Sequence, residues 1–149
     1  MTVLAIDTGP TQSAWLLWNG TQIVGMGIDP NDQVLTGVLP LHHAEHLAIE
    51  MVESFGMPVG KEVFETVYWI GRFVQAWNRP TTRISRMQAK MHLCHSARAK
   101  DSNIRQALVD LLGPQGTKSA PGATYGVKKD LWSALAVAVT WQATTKQKE

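Results

Sequence analysis

The sequence predicts an α/β fold in which helices pack over a mixed β-sheet. Three observations support this prediction: two short apolar runs, a hairpin signal between them, and helical periodicity that begins at Val63. The chain has 149 residues, of which 44% are hydrophobic and 17% are charged. We therefore expect one folded, soluble domain over residues 1–149, with a frayed tail at residues 143–149.

Four strands are predicted in the first third of the chain. Residues 2–6 and 47–52 are short apolar runs, as in buried strands. Residues 13–18 and 21–28 flank the dipeptide formed by Asn19 and Gly20, which is a strong signal for a two-residue hairpin. We expect the first strand near the centre of the sheet, with the hairpin on one side and later strands on the other.

The remaining elements are mostly helical. Residues 29–32 have the composition of a turn. Apolar residues at helical spacing follow Pro58, at Val63, Val67, Ile70, Val74 and Trp77. Further segments are predicted as a short strand at residues 81–85 and as helices at residues 88–94, 101–112 and 127–141. Four glycines and two prolines in residues 113–126 predict a mobile loop.

Three acidic residues far apart in sequence border apolar stretches. Asp7 follows the first strand, Glu50 lies in the fourth, and Asp130 is near the start of the last helix, on the same face as Ser133. A carboxylate beside buried apolar residues is costly unless its charge is compensated. Three convergent carboxylates could hold one or two divalent metal ions, as in enzymes that hydrolyse phosphodiesters. Taken singly, Asp7 could instead cap a turn, and Asp130 could stabilise a helix N-terminus.

The charge distribution indicates a polyanionic partner. Residues 1–71 contain one basic and eight acidic residues, whereas residues 72–118 contain nine basic and two acidic ones. Such a basic stretch is typical of nucleic-acid binding, although a solvated surface is the ordinary alternative. The sequence has no run long enough to span a bilayer and no signal-peptide pattern. With Cys94 as its one cysteine, it fits a reducing cytoplasm, without membrane association.

Together these motifs resemble the RuvC family of Holliday-junction resolvases, within the RNase H-like superfamily, and most closely its short phage-encoded members. Residues 3–9 resemble the first family strand with its Asp-x-Gly, and residues 48–50 resemble the strand that bears a glutamate. Residues 96–101 resemble the basic start of a family helix, and residues 130–138 resemble the last family motif. That motif normally has two metal-site residues three apart; here Asp130 takes the first place and Ser133 the second.

The resemblance implies an RNase H-like mixed sheet with helices on both faces, and an endonuclease that nicks Holliday junctions and other branched DNA. It implies that Asp7, Glu50 and Asp130 bind two Mg²⁺ ions, or Mn²⁺ in their place, with Ser133 beside them. The ions would activate the attacking water and stabilise the leaving 3′-oxygen. Family members are often homodimers. Candidate phosphate contacts are Lys90, Arg98, Lys100 and Lys118.

The helix predicted after Pro58 offers a possible dimer surface, although core packing explains its apolar residues equally well. Its further aromatic residues are Phe64, Tyr68, Trp69 and Phe73. A second copy related by two-fold symmetry would cover an apolar face of this kind.

Four alternatives remain open at this point. Ser133 could mark a weakened metal site on a non-catalytic module that binds branched DNA. A looser nuclease that cuts forks or flaps would use the same chemistry. The tripeptide at Asp7 also occurs in aspartic proteases, but a second such aspartate would be needed from the chain or its dimer mate, and the basic stretch would have no role. A zinc site could use His42, His43, Glu45 and His46, but Pro40 and the following strand favour a surface turn.

Overall fold

A computed structural model of the protein describes residues 1–41 and 43–148. Within these residues the strands are β1 (Val3–Asp7), β2 (Gln12–Trp18), β3 (Ile23–Pro30), β4 (His46–Met51) and β5 (Thr81–Ser85). They form a sheet of order β3-β2-β1-β4-β5, in which β1 is central as predicted. The first three strands are antiparallel neighbours, whereas β4 is parallel to both β1 and β5.

Helices cover both faces of this sheet, which confirms the predicted α/β class. They are α1 (Asn31–Gln33), α2 (Lys61–Trp77), α3 (Arg86–Cys94), α4 (Asp101–Leu112) and α5 (Leu131–Lys148). A π-helical turn, Val34–Val38, continues α1. The described helices include none that is both long and apolar enough to cross a membrane.

The central strand β1 is apolar at consecutive positions because both of its faces are buried. Val3 and Ala5 pack into the core formed with α3, α4 and α5, whereas Leu4 and Ile6 pack into the core formed with α2. A strand covered on both sides loses the alternation of apolar and polar residues. This arrangement leaves the carboxyl end of β1 as the first place where a polar side chain can reach solvent.

The inward face of α2 differs from the predicted one. Ile70, Phe73 and Trp77 are buried, while Val67 is 39% exposed, so the prediction was wrong for Phe73 and Val67. Turning the helix to bury Phe73 removes more apolar area from water than burying Val67 would. The helix ends at Asn78, whose left-handed φ of 47° breaks the helical hydrogen bonding.

Three predicted element boundaries were also wrong. The hairpin connection is four residues long, residues 19–22. The Asn19 side chain accepts hydrogen bonds from the backbone N–H groups of Thr21 and Gln22 at 3.0 and 2.8 Å, which stabilises this longer connection.

The other two boundaries concern later segments. Residues 29–32 are not a free turn, since they end β3 and begin α1. The last helix is Leu131–Lys148 instead of residues 127–141, and fraying of its end stays a prediction. Gln142 anchors it by hydrogen bonds to the Trp18 indole and the Gly20 carbonyl.

The glycine-rich segment of residues 113–126 is a loop, as predicted, and it is hydrogen-bonded to itself. Gly116 pairs with Pro121 in a short antiparallel bridge. Thr124 is fully buried, and its hydroxyl donates to the Gly113 carbonyl at 2.9 Å. These contacts close the base of the loop, whereas Lys118 near its tip is exposed. Movement of the tip stays a prediction.

Candidate active site

The register of two parallel strands places Asp7 beside Glu50. Ile6 of β1 lies opposite Ile49 of β4, so the next residue of each strand emerges at the same edge of the sheet. Carboxyl ends of strands are the usual ligand-binding edge in α/β sheets. Both carboxyl groups line a cavity of about 320 Å³ that also includes Thr8, Phe55 and Arg86.

Crowding of negative charge dominates the electrostatics of this cavity. Burial, the hydrogen bond and charge of Glu50, and the charge of Asp130 raise the pKa of Asp7 from 3.8 to about 9. The positive charge of Arg86 opposes this shift. A carboxyl group perturbed in this way at the edge of a sheet is a candidate for chemistry or cation binding.

Asp130 stands apart from the other two predicted carboxylates. It is an exposed residue immediately before α5 and lines a separate cavity of about 200 Å³, together with Ser133, Asp101 and Lys129. Its charge reaches Asp7, but among residues 1–41 and 43–148 no three Asp, Glu, His or Cys side chains are close enough to hold a metal ion together. The structure therefore pairs two of the three and brings the third within electrostatic range.

A buried polar network supports the turn after Asp7, and sequence reasoning missed it. The Ser13 hydroxyl donates to the Asn31 side-chain oxygen at 2.5 Å, and the Asn31 amide donates to the Gly9 carbonyl at 2.9 Å. The Gly9 N–H in turn donates to the Ser13 hydroxyl at 3.2 Å. A Cβ at Gly9 would lie 2.4 Å from the Gln12 carbonyl oxygen, so this turn requires glycine.

Thr8 contributes a hydroxyl to the same turn. It is 8% exposed, and its Oγ1 atom has no hydrogen-bond partner within the described part of the chain. A buried hydroxyl without a partner costs free energy. A water molecule or a bound ligand that entered the cavity beside Asp7 would relieve that cost.

Arg86 is a second feature that sequence reasoning missed. It lines the cavity with Asp7 and Glu50 and is ion-paired with Asp101. The available signal was its place directly after the predicted strand of residues 81–85, at the edge where Glu50 also emerges. Of the arginines in the basic stretch, Arg98 was singled out from the sequence and Arg86 was not.

The four predicted phosphate contacts lie outside the carboxylate cavity, as far as its described lining shows. Lys90 is half-buried on α3, and Lys118 is exposed on the glycine-rich loop. Arg98 and Lys100 are exposed in the connection between α3 and α4, where Arg98 lines another cavity, together with Cys94.

Within the histidine-rich segment, His46 makes contacts that hold it in the fold. His46 begins β4, its Nε2 atom is 2.7 Å from the Thr82 hydroxyl, and its ring packs 4.8 Å from that of Trp141. Burial lowers the pKa of His46. Of the other proposed ligands, His42 lies outside the described residues. The described residues contain no cluster suited to zinc.

The donor atoms at the cavity are suitable for a hard divalent cation. Asp7 and Glu50 offer carboxylate oxygens, which Mg²⁺ and Mn²⁺ prefer. Their mutual repulsion, visible in the raised pKa of Asp7, would be relieved by a cation between them. Asp7 and Glu50 thus fit such an ion, with Asp130 as a more distant third group.

Comparison with known proteins identifies the fold. No family model matches the sequence, and no curated protein matches it. Two solved structures of RuvC from Thermus thermophilus, one of them in complex with Holliday junction substrate, superpose with TM-scores of 0.74 and 0.75. They are 19% and 20% identical and cover 99% of this chain and 97% and 96% of theirs. The chain has a RuvC-like fold.

More distant resolvases share this RuvC-like fold. The yeast mitochondrial Holliday junction resolvase Ydc2 has a TM-score of 0.65 at 10% identity, covering 97% of this chain and 82% of its own. The Fowlpox virus resolvase, solved with Holliday junction DNA, has a TM-score of 0.57 at 11% identity, covering 95% and 99%. The fold is therefore retained at very low sequence identity.

Proposed function

We propose that the protein is a metal-dependent, structure-selective endonuclease that nicks Holliday junctions and other branched DNA. The observation that carries this proposal is the Asp7–Glu50 pair at the carboxyl ends of neighbouring parallel strands. The pair occurs in a fold shared with several Holliday junction resolvases. The basic stretch of residues 72–118 adds the positive charge that a DNA partner needs.

In this proposal Asp7, Glu50 and Asp130 hold two Mg²⁺ ions, or Mn²⁺ in their place. When bound, such ions supply positive charge at the phosphate and lower the pKa of the attacking water. Asp7 must lose its proton to serve as a ligand, so cation binding releases a proton. Asp130, which is exposed and precedes α5, can approach the pair by a change in its side chain or in the preceding turn.

We assign DNA binding to four basic residues outside the lining of the carboxylate cavity. Lys90, Arg98 and Lys100 lie on or after α3, and Lys118 lies on the glycine-rich loop, which could close on a bound strand. Phe55, 70% exposed, lines the cavity itself and offers an apolar surface to a base or sugar.

A homodimer is the assembly that fits the exposed face of α2. Phe64 and Tyr68 are 67% and 58% exposed and lie one turn apart on this helix, with Val67 and Gly71 on the same face. A Cβ at Gly71 would meet no described atom within 4 Å, so no described contact requires glycine there. Glycine is nevertheless unfavourable inside a helix. Close approach of a helix from a second copy would explain both the apolar stripe and Gly71.

The test is cleavage of a labelled four-way junction, beside a fork, a flap and a matched linear duplex, with Mg²⁺ or Mn²⁺ and with EDTA. The proposal expects cation-dependent nicks in branched DNA and none in the duplex. Paired nicks confined to the junction would indicate a dimeric resolvase, whereas cutting of forks and flaps would indicate a broader structure-selective nuclease.

A non-catalytic module that binds branched DNA is the second candidate. Ser133 stands where the resembled family has a metal-site residue, and the three carboxylates do not form a closed cluster among the described residues. Junction binding without cleavage at any concentration of either cation would favour this second function and would contradict the first.

A further inference from the structure

Arg86 is fixed at the cavity edge by the start of α3. In the register of β4 and β5, Glu50 lies opposite Ile84 and Met51 opposite Ser85, so Arg86 follows at the strand end next to Glu50. Ser85 caps the helix: its hydroxyl accepts the Gln88 N–H at 3.1 Å, and its own N–H donates to the Gln88 side chain at 2.8 Å. This reciprocal cap holds the backbone from which Arg86 projects.

The guanidinium of Arg86 has donors left over for another anion. Asp101, the first residue of α4, forms an ion pair with Arg86, whose side chain nevertheless stays 43% exposed and lines the cavity with Asp7 and Glu50. A guanidinium has five N–H donors, and a single carboxylate accepts at most a bidentate pair. Remaining donors can therefore serve a ligand in the cavity.

A purely structural role explains less of this arrangement. An exposed ion pair contributes little to stability, so joining α3 to α4 is a small benefit. The Asp101 side chain is 78% exposed and does not bury the pair. The same guanidinium is also close enough to Asp7 for its charge to act on that carboxyl group. A role directed at the cavity accounts for both contacts.

We propose that Arg86 binds a non-bridging oxygen of the scissile phosphate and that Asp101 is a positioning residue for its guanidinium. This inference rests on the proposed nuclease function. A cavity lined by carboxylates repels a phosphodiester, and a guanidinium at its edge offsets that repulsion with a donor geometry that matches phosphate. As charge develops on the phosphate during hydrolysis, the same donors stabilise it.

The experiment compares four single variants and one double variant on a four-way junction. Arg86→Ala removes the guanidinium, Arg86→Lys keeps the charge, and Asp101→Asn keeps the shape of the partner. Arg83→Ala is the matched control, because Arg83 is an exposed arginine on β5 that is absent from the described cavity lining. Cleavage is followed under single-turnover conditions at saturating protein with Mg²⁺, and junction binding is followed with Ca²⁺.

The inference expects a loss in rate without a matching loss in binding. Arg86→Ala should slow cleavage about 100-fold and change the junction Kd less than about threefold. Arg86→Lys should recover part of the rate, and Asp101→Asn should slow it about tenfold. The double variant Arg86→Ala with Asp101→Asn should be no slower than Arg86→Ala alone, because Asp101 acts through Arg86.

Binding of Mn²⁺ to the DNA-free protein, measured by calorimetry, gives a second readout. Arg86→Ala removes a positive charge beside Asp7 and Glu50. This variant should therefore bind Mn²⁺ more tightly than the unaltered protein, by up to about tenfold. A variant that merely loosened the fold would bind Mn²⁺ more weakly. Slower cleavage together with tighter Mn²⁺ binding therefore separates a role at the phosphate from structural damage.

The outcomes also separate this inference from the function on which it rests. Cleavage by the unaltered protein with an equal rate for Arg86→Ala overturns the Arg86 assignment alone. Equal losses for Arg86→Ala and Arg83→Ala overturn it as well, since they would show a general effect of charge. A lack of cleavage by the unaltered protein with both Mg²⁺ and Mn²⁺ overturns the nuclease function and the assignment together.

Discussion

The carboxyl groups of Asp7 and Glu50 lie at the ends of two adjacent parallel strands, where burial and the neighbouring Glu50 raise the pKa of Asp7. Two carboxyl groups can share a hydrogen bond while one of them keeps a proton. In the absence of a cation this pair therefore binds a proton that ordinary surface carboxylates would have lost. Proton release and cation binding at this edge of the sheet are thus linked.

Replacing Asp7 with Asn should abolish cleavage while leaving folding and junction binding intact. The amide keeps the shape and hydrogen bonding of the side chain but lacks the charge that a cation requires. We expect a loss in single-turnover rate of about 1000-fold or more. Asp32→Asn, at an exposed position on α1, is the control. Retained cleavage by Asp7→Asn would remove Asp7 from the mechanism.

The stability of the metal-free protein should fall as the pH rises. The pKa of Asp7 is about 9 in the folded state against 3.8 ordinarily, so the folded state binds more protons than the unfolded state between these values. The free energy of unfolding then decreases across this window, with a slope of up to about 1.4 kcal/mol per pH unit.

Urea unfolding in EDTA at several pH values between 5 and 9 would measure this dependence. Asp7→Asn lacks the titrating group, so its stability should change less with pH and should exceed that of the unaltered protein above neutral pH. Added Mg²⁺ should reduce the difference at high pH, because the cation replaces the proton. Identical pH profiles for the two proteins would contradict the assignment.

Replacing Ser133 with Asp should strengthen the site for divalent cations. Ser133 follows Asp130 by three residues and lines the same cavity. A carboxylate at position 133 would be a second negatively charged ligand for the cation. We expect half-maximal cleavage at roughly a tenth of the Mn²⁺ concentration. Ser133→Asn, which adds similar bulk without charge, is the control. An unchanged cation requirement would show that Ser133 lies outside the site.

Removing the Asn31 side chain should destabilise the protein and disturb the turn beside Asp7. Asn31 is 1% exposed and joins Ser13 to Gly9, so truncation leaves buried partners without hydrogen bonds. Asn31→Ala should lower the free energy of unfolding by about 1–3 kcal/mol in urea titrations. Asn19→Ala, in the exposed hairpin connection, should cost less. Equal decreases in the free energy of unfolding for the two variants would mean that the Asn31 network stabilises the fold no more than a local turn does.

The sequence predicted the sheet order and the pairing of Asp7 with Glu50 better than the environment of Asp130. Apolar runs such as residues 2–6 and 47–52 depend on burial and are visible in one dimension. Side-chain position at Asp130 depends on the preceding turn, where Lys129 takes a left-handed φ of 50°, and no local pattern indicates that. The buried Asn31 and the cavity-lining Arg86 likewise depend on long-range packing, which composition does not reveal.

Placing a charge on the exposed face of α2 should separate the proposed homodimer into monomers. Tyr68 is 58% exposed, next to Phe64 and one turn before Gly71, so Tyr68→Glu would put a carboxylate inside the interface. Burying an unpaired charge is costly, and light scattering at micromolar concentration should then report a single protomer. Junction cleavage should change from paired cuts to single nicks, because each active site would act alone.

Leu111→Glu, at an exposed apolar position on α4, is the control for this prediction and should leave the assembly unchanged. A monomeric unaltered protein at these concentrations would contradict the dimer, and paired cuts by such a monomer would show that two active sites are brought together on the DNA instead.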